Sequence, residues 1–469
     1  MIKQVDFTEK SISNPNGKQI EIFINCIVSF IFIIISFVDH SLSNLTILSM
    51  FVFVWGVRVI TKRNDSFLNI VNIFYILCFI FHCSYFILII SNNVRGNAHV
   101  FITLPDQIQI NTLKYCIAFF ALFPLGTLFS KEKTIDKETQ PFLSVEQCSK
   151  IGITLMTIAL FPRLYVDITT FNAYLQGGYI GVYRVYINNY IMLLANMFYL
   201  GSVLSIYGYK KNKSKATMVL VFTMILIFIS MMSGRRGTKV AYLVIILYMY
   251  FKCVDRKKTN ILLTLRNVFI GYTILVIIAT FGDTRETGTF TLSNFLSLFV
   301  KNFTYELIFD QFGEFGYAAY TLGATIEHIP TQNYGYGLNY IFSWIEILPN
   351  IGGFLTGFSD KMSFVFKLPS QYQQALGGSM LGELFYNFGY FSVILAIPLG
   401  NIINNISFRI DCAIKNDGLS SVDIICILTA IPMMLWVRSV FNEFPRSIIW
   451  FYLIIYAIKS FLYKGTKDS

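Results

Sequence analysis

Charge is what this chain has least of: only 13% of its 469 residues are charged, about half the share usual in a soluble protein. That scarcity excludes a soluble multi-domain enzyme, and a hydrophobic content of 55% excludes disordered and fibrous classes. Strict apolar–polar alternation is also missing. Apolar runs continue for about 20 residues at a time, which the strands of an outer-membrane barrel do not do. Metal-ligand spacing is absent, because His40, His82, His99 and His328 are scattered. No nucleotide-binding loop, Asp-x-Asp pair, internal repeat or low-complexity tract is found. What remains is an all-α polytopic membrane protein.

Twelve spans are expected, at roughly 20–38, 45–60, 67–90, 112–129, 150–166, 190–208, 216–232, 238–251, 264–281, 380–400, 421–437 and 446–463. The polar residues before the first run carry no small-residue cleavage site after it, so that run reads as a retained anchor. The net charge of +11 is explained first by topology, since basic residues collect in cytoplasmic connections. Residues such as Lys62, Arg63, Lys131, Lys210, Arg256 and Lys415 place 24 of the 37 Lys and Arg on one side of the membrane. Both termini are therefore expected in the cytoplasm, and nucleic acid is not an expected partner. Of the eight cysteines, five fall in spans and three in cytoplasmic connections, so no disulfides are expected.

The chain then divides into an N-terminal bundle of about nine spans (1–281), one large outward loop (282–379) and three C-terminal spans (380–469), all within one membrane domain. A second outward loop is expected at roughly 162–189.

The charge rule is broken at Ser233-Gly-Arg-Arg-Gly-Thr-Lys239, an outward connection holding Arg235, Arg236 and Lys239 within seven residues. Gly237-Thr238-Lys239 opens a helix, and free backbone N–H groups beside guanidinium forks are suited to gathering a phosphate. Anionic lipid headgroups at a helix end are the plainer alternative. Arg163, Arg184, Arg285, Arg438 and Arg446 are further outward cations. Each has a salt-bridge explanation; together they read as a cationic pocket between helices.

The large loop has the opposite sign, with four basic residues against eight acidic ones. From about Leu292 to His328 it has helical periodicity and many aromatics, as in amphipathic helices along an interface. Glu306, Asp310 and Glu314 share one helix face, which costs roughly 0.2–0.5 kcal/mol per like-charged pair when exposed. Either cations neutralise them or one carboxylate serves proton transfer. Beyond them come Tyr334, Tyr336, Tyr340 and Trp344 with intervening glycines, a composition suited to sugar rings and equally to the membrane interface. At the end of the loop Ser379 is placed to cap the next helix, with Glu383 in its first turn beside the helix dipole. An acid at the start of a span is also a functional candidate.

Three runs carry a resemblance: Gly-Arg-Arg-Gly at 234–237; Thr321 with Glu327-His-Ile-Pro330, Tyr334, Gly337, Tyr340 and Pro349; and Gly377-Gly-Ser with Gly382-Glu383 and Tyr386-Asn-Phe-Gly389. In these, and in about twelve spans with one large outer loop, the chain resembles the bacterial O-antigen polysaccharide polymerases (Wzy-type repeat-unit polymerases). The resemblance implies an inner-membrane glycosyltransferase acting at the periplasmic face on undecaprenyl-diphosphate-linked oligosaccharide, both as donor and as acceptor. It implies no cofactor, and makes a chain-length regulator and the repeat-unit flippase candidate partners. Arg235 and Arg236 would stabilise the departing diphosphate without a metal, with Lys239, Arg163, Arg184, Arg285, Arg438 and Arg446 as further contacts. Glu314 and Glu383 are the candidate bases for the attacking hydroxyl, with His328 and Asp310 behind them. Ser379, Tyr317, Tyr340 and His328 would line the glycan site. An O-antigen ligase shares this chemistry with a different acceptor, and a flippase of lipid-linked sugar is the alternative of another class.

Overall fold

The computed structural model describes residues 15–91, 104–130, 141–232, 237–254, 261–287, 291–345, 347, 364–369, 377–441 and 444–463. Helices α1 (Pro15–Val38), α2 (Leu42–Asn64), α3 (Ile70–Ile90) and α4 (Asp106–Leu128) are followed by α5 (Val145–Arg184), α6 (Asn189–Gly208), α7 (Lys213–Met231), α8 (Gly237–Cys253) and α9 (Ile261–Thr287). The large loop contributes α10 (Leu292–Asn302), α11 (Glu306–Phe315), α12 (Tyr317–His328) and α13 (Leu338–Ile345). The chain ends with α14 (Met380–Phe388), α15 (Ala396–Lys415), α16 (Ser421–Trp436) and α17 (Phe444–Leu462). Among the described residues nine helices are long and apolar enough to cross a membrane, counting α14 and α15 with the turn between them as one; α16 and residues Phe269–Thr284 of α9 are shorter apolar stretches. The protein is an all-α polytopic membrane protein.

The apolar runs become helices with defined starts because polar residues sit just ahead of them. Asn69 Oδ1 accepts the Asn72 N–H at 2.7 Å, and Ser144 and Ser420 form reciprocal capping boxes with Gln147 and Asp423. A short antiparallel pair, β1 (Leu143–Ser144) with β2 (Gly418–Leu419), ties the starts of α5 and α16 together at one end of the bundle. Helices α4 and α15 touch backbone to backbone. A Cβ on Gly126 would lie 2.0 Å from the Ile397 carbonyl oxygen, and one on Gly400 2.2 Å from that of Phe123. Small residues permit such an approach where water supplies no driving force between helices.

The loop at 162–189 is not a loop. Helix α5 continues through it to Arg184. Two of the charged residues that read as a connection are internal, because Arg163 and Asp167 stand four apart on α5 and pair with each other. The helix does not run on straight. A Cβ on Gly181 would lie 2.5 Å from the Ala173 carbonyl oxygen, whereas residues eight apart in a straight helix are separated by about 12 Å. The chain bends sharply near Gly177 and Gly178.

The large loop also differs from a purely interfacial segment. Helix α10 has no buried residue and leaves Leu292, Leu296 and Val300 exposed in one stripe, as an interfacial helix does. Helix α12 instead enters the bundle: Ala318 to Ile326 are buried, and it packs on α3, α4 and α14.

Candidate active site

Helix α14 is the centre of the site. Its N-cap Ser379 accepts the Gly382 N–H at 3.0 Å and lies 2.9 Å from His82 Nε2 on α3. His82 Nδ1 is 2.8 Å from the Cys78 carbonyl, which only accepts, so Nδ1 carries the proton and the Ser379 hydroxyl donates to Nε2. Both side chains are fully buried. Upstream of the cap, Thr321 Oγ1 is 3.0 Å from the Gly377 carbonyl. A Cβ on Gly378 would fall 2.3 Å from the Ser439 carbonyl carbon, so only glycine lets the two segments meet there. The Met380 N–H donates to Val437 O at 3.3 Å, which fixes 377–380 against 437–439. Between them, Arg438 stands beside Gly377, its guanidinium 5.8 Å from the centre of the Phe81 ring.

One turn along α14, Glu383 is 1% exposed. Its Oε1 accepts Asn339 Nδ2 at 2.5 Å, its Oε2 accepts the Trp436 indole at 2.7 Å, and the Phe441 N–H lies 3.3 and 3.1 Å from the two oxygens. A carboxylate offers about four acceptor positions, so most of these are filled. The carboxylate on α14 joins two segments distant in sequence: α13, and the end of α16 with the 437–441 turn that follows it and holds Arg438. Tyr340 closes the box edge-on to Trp436 and Phe441, at centroid distances of 6.3 and 5.1 Å.

The 334–340 and 377–389 runs meet here. Gly335 N–H donates to Tyr386 O at 2.9 Å, Tyr336 N–H to Asn387 O at 3.1 Å, and Gly337 N–H to Asn387 Oδ1 at 2.8 Å. The turn needs left-handed backbone at Tyr336 and Gly337, with φ of 49° and 80°. Helix α14 then stops at Gly389, φ 57°, and the chain passes through a 3-10 turn (Gly389–Leu395) into α15. The result is a broken helix whose short, buried first half begins against the 437–439 segment that carries Arg438.

Glu383, Ser379, Tyr340 and Arg438 are thus brought together. Tyr317 begins α12, half-buried, with its carbonyl 3.0 Å from Thr321 Oγ1. His328, at the end of α12, has Nε2 3.4 Å from Glu327 Oε2. Lys239 and Arg446 are half-buried in the first turns of α8 and α17, Arg184 is exposed at the end of α5, and Asp310 is exposed on α11. Arg163 is elsewhere: fully buried among α5, α6 and α7, it donates to both Asp167 oxygens, Ser230 Oγ donates to Asp167 at 2.7 Å, and the guanidinium lies 5.6 Å from the Tyr199 ring centre. Arg285 and Glu314 lie on α9 and α11, with side chains outside the described residues, as are Arg235 and Arg236 altogether.

His82, Asn339, Trp436 and Asp167 were not singled out in the sequence. His82 carried a usable signal, being an ionisable residue inside an apolar span. Asn339 and Trp436 carried none, since their role is visible only once Glu383 is seen between them.

The family model for O-antigen polysaccharide polymerase Wzy matches residues 20–466. No curated protein and no solved structure matches the chain. With nearly the whole length covered by that match, the chain belongs to the O-antigen polysaccharide polymerase Wzy family.

Proposed function

We propose that this O-antigen repeat-unit polymerase, a multi-pass inner-membrane glycosyltransferase by its family, joins undecaprenyl-diphosphate-linked oligosaccharides at the periplasmic face. The chain crosses the membrane twelve times with both termini in the cytoplasm, and residues 282–379 form the periplasmic segment between the 1–281 and 380–469 bundles. The observation that carries the reading is the convergence of Arg438, the amino end of α14 and the carboxylate of Glu383 in one place. A half-helix amino end and a guanidinium favour an anion, and a buried carboxylate beside them can hold or accept a proton.

In the reaction, a hydroxyl at the non-reducing end of the acceptor repeat unit attacks the anomeric carbon of the donor glycan. The bond from that carbon to the diphosphate breaks, and undecaprenyl diphosphate leaves with the electron pair. The hydroxyl proton passes to a carboxylate, for which Glu314 and Glu383 are the candidates. Arg235, Arg236 and Lys239, with Arg438, Arg285 and Arg446, offset the charge that grows on the leaving group. Tyr317, Tyr340 and His328 flank the glycan. The protein works without a metal, beside a chain-length regulator and the repeat-unit flippase.

The lipopolysaccharide of a deletion strain separates the readings. A single repeat unit on the lipid A core supports polymerase; bare core with accumulated polymer points to a ligase, and bare core without polymer to a flippase. Within the polymerase reading, Arg235→Ala and Arg236→Ala should each shorten or remove the polymer ladder while the protein still inserts. A lost charge-assisted contact of about 1.5–3 kcal/mol lowers transfer roughly ten- to hundredfold. Normal-length polymer from either variant removes that arginine from the mechanism.

A further inference from the structure

A second polar site lies at the other end of the bundle. A cavity of about 540 Å³ opens where the ends of α2, α4, α8 and α15 meet, a size typical of small-ligand sites. Its distance from the candidate active site follows from α3. At the start of that helix the Ile70 N–H donates to Ser407 of α15 at 3.2 Å, while His82, twelve residues on, reaches Ser379. Twelve residues of α-helix span about 18 Å.

The lining is polar and built. Among the described residues Arg63, Lys252 and Lys415 face two carboxylates, Asp65 and Asp411, so the described lining carries one more cation than anions. Asp411 is already engaged, 3.1 Å from Lys252 Nζ and 2.8 Å from the Tyr248 hydroxyl. Asn404 and Ser130 are 3% and 6% exposed. Asn64 Nδ2 donates to Asn404 Oδ1 at 2.9 Å, Asn404 Nδ2 to Ser130 Oγ at 2.7 Å, and Arg63 to the Ser130 carbonyl at 2.7 Å. Two amides and an arginine, from α2 and α15, are thereby held at one wall with Ser130 just past α4. Phe408 lines the cavity and is 38% exposed, so an apolar ring stands at its rim.

We propose that this cavity binds the headgroup of an anionic glycerophospholipid, its phosphodiester held by Arg63 and Lys415 and its glycerol hydroxyls by the Asn64–Asn404–Ser130 wall. The cavity sits on the side where basic residues collect, and basic pockets between helices on that side recognise anionic headgroups. Phe408 stands at the rim, where the first acyl carbons leave the cavity. A neutral headgroup would bring no negative charge to a lining that is net positive among the described residues, and a free anion would leave the Phe408 ring at the rim without contact.

Native mass spectrometry of the whole protein, released from detergent with dioleoyl phosphatidylglycerol or dioleoyl phosphatidylcholine, tests this. One phosphatidylglycerol should be retained in preference to phosphatidylcholine, and millimolar inorganic phosphate should not displace it. Arg63→Gln should reduce retention roughly fivefold, and Lys415→Glu, which reverses a sign, should reduce it further. Lys415 is exposed, so its variant tests the site without disturbing the core. Equal retention of the two lipids overturns the proposal, as does unchanged retention in both variants. Displacement by phosphate assigns the cavity to a free anion instead.

Discussion

Asp167→Ala should destabilise the folded protein by about 3–5 kcal/mol, because it leaves the Arg163 charge buried without its partner. The pair is closed on every side. Arg163 is 0% and Asp167 5% exposed, two guanidinium nitrogens point at the carboxylate, and Ser230 donates to it from α7. Among the described residues the third nitrogen, NH1, has no hydrogen-bond partner, so once Asp167 is gone no other carboxylate among them replaces it and the Tyr199 ring 5.6 Å away offsets the charge only weakly. The thermal transition of the detergent-solubilised protein should fall sharply. Arg163→Met combined with Asp167→Leu should restore most of the loss, since removing both ions of a buried pair is far less costly than removing one. A single variant as stable as the parent would mean that water or a headgroup reaches Arg163, and that the site is open after all.

That pair also shows where sequence reading stops. Nine of the expected spans were legible because each is a long apolar run, and Ser379 was legible as a cap because a serine stands three residues before Gly382 at the edge of such a run. Arg163 was read as an outward cation, since a charged residue near Pro162 and Asp167 resembles the start of a connection. Only packing against Ser230 and Tyr199 shows that the charge is internal. The 334–340 and 377–389 runs were each visible as Gly- and Tyr-rich segments, but their meeting rests on backbone bonds to Tyr386 and Asn387 across about fifty residues. No periodicity records such a pairing. Helix α12 looked interfacial for the same reason, its aromatics fitting a lipid boundary as well as they fit the groove between α3 and α14.

Glu383→Gln should abolish polymer formation, by a factor of about a hundred to ten thousand if the carboxylate accepts the proton. The geometry makes the replacement severe even though it is nearly isosteric. Asn339, Trp436 and Phe441 all donate toward the two oxygens. An amide keeps one acceptor and turns an NH2 group toward at least one of those donors, so a charge-assisted bond becomes an opposed pair of donors. Through Phe441 the strain reaches the turn that carries Arg438, and through Asn339 it reaches the 335–337 contact with α14. Two measurements on the same variant divide the roles. Lost polymer with an unchanged melting temperature assigns Glu383 to proton transfer. Lost polymer with a transition lowered by several degrees assigns it to holding α13 and the 437–441 turn in place, and the base then falls to Glu314, to be tested by Glu314→Gln. A normal ladder from Glu383→Gln would exclude both roles, because neither a base nor an acceptor for three converging N–H groups survives as an amide.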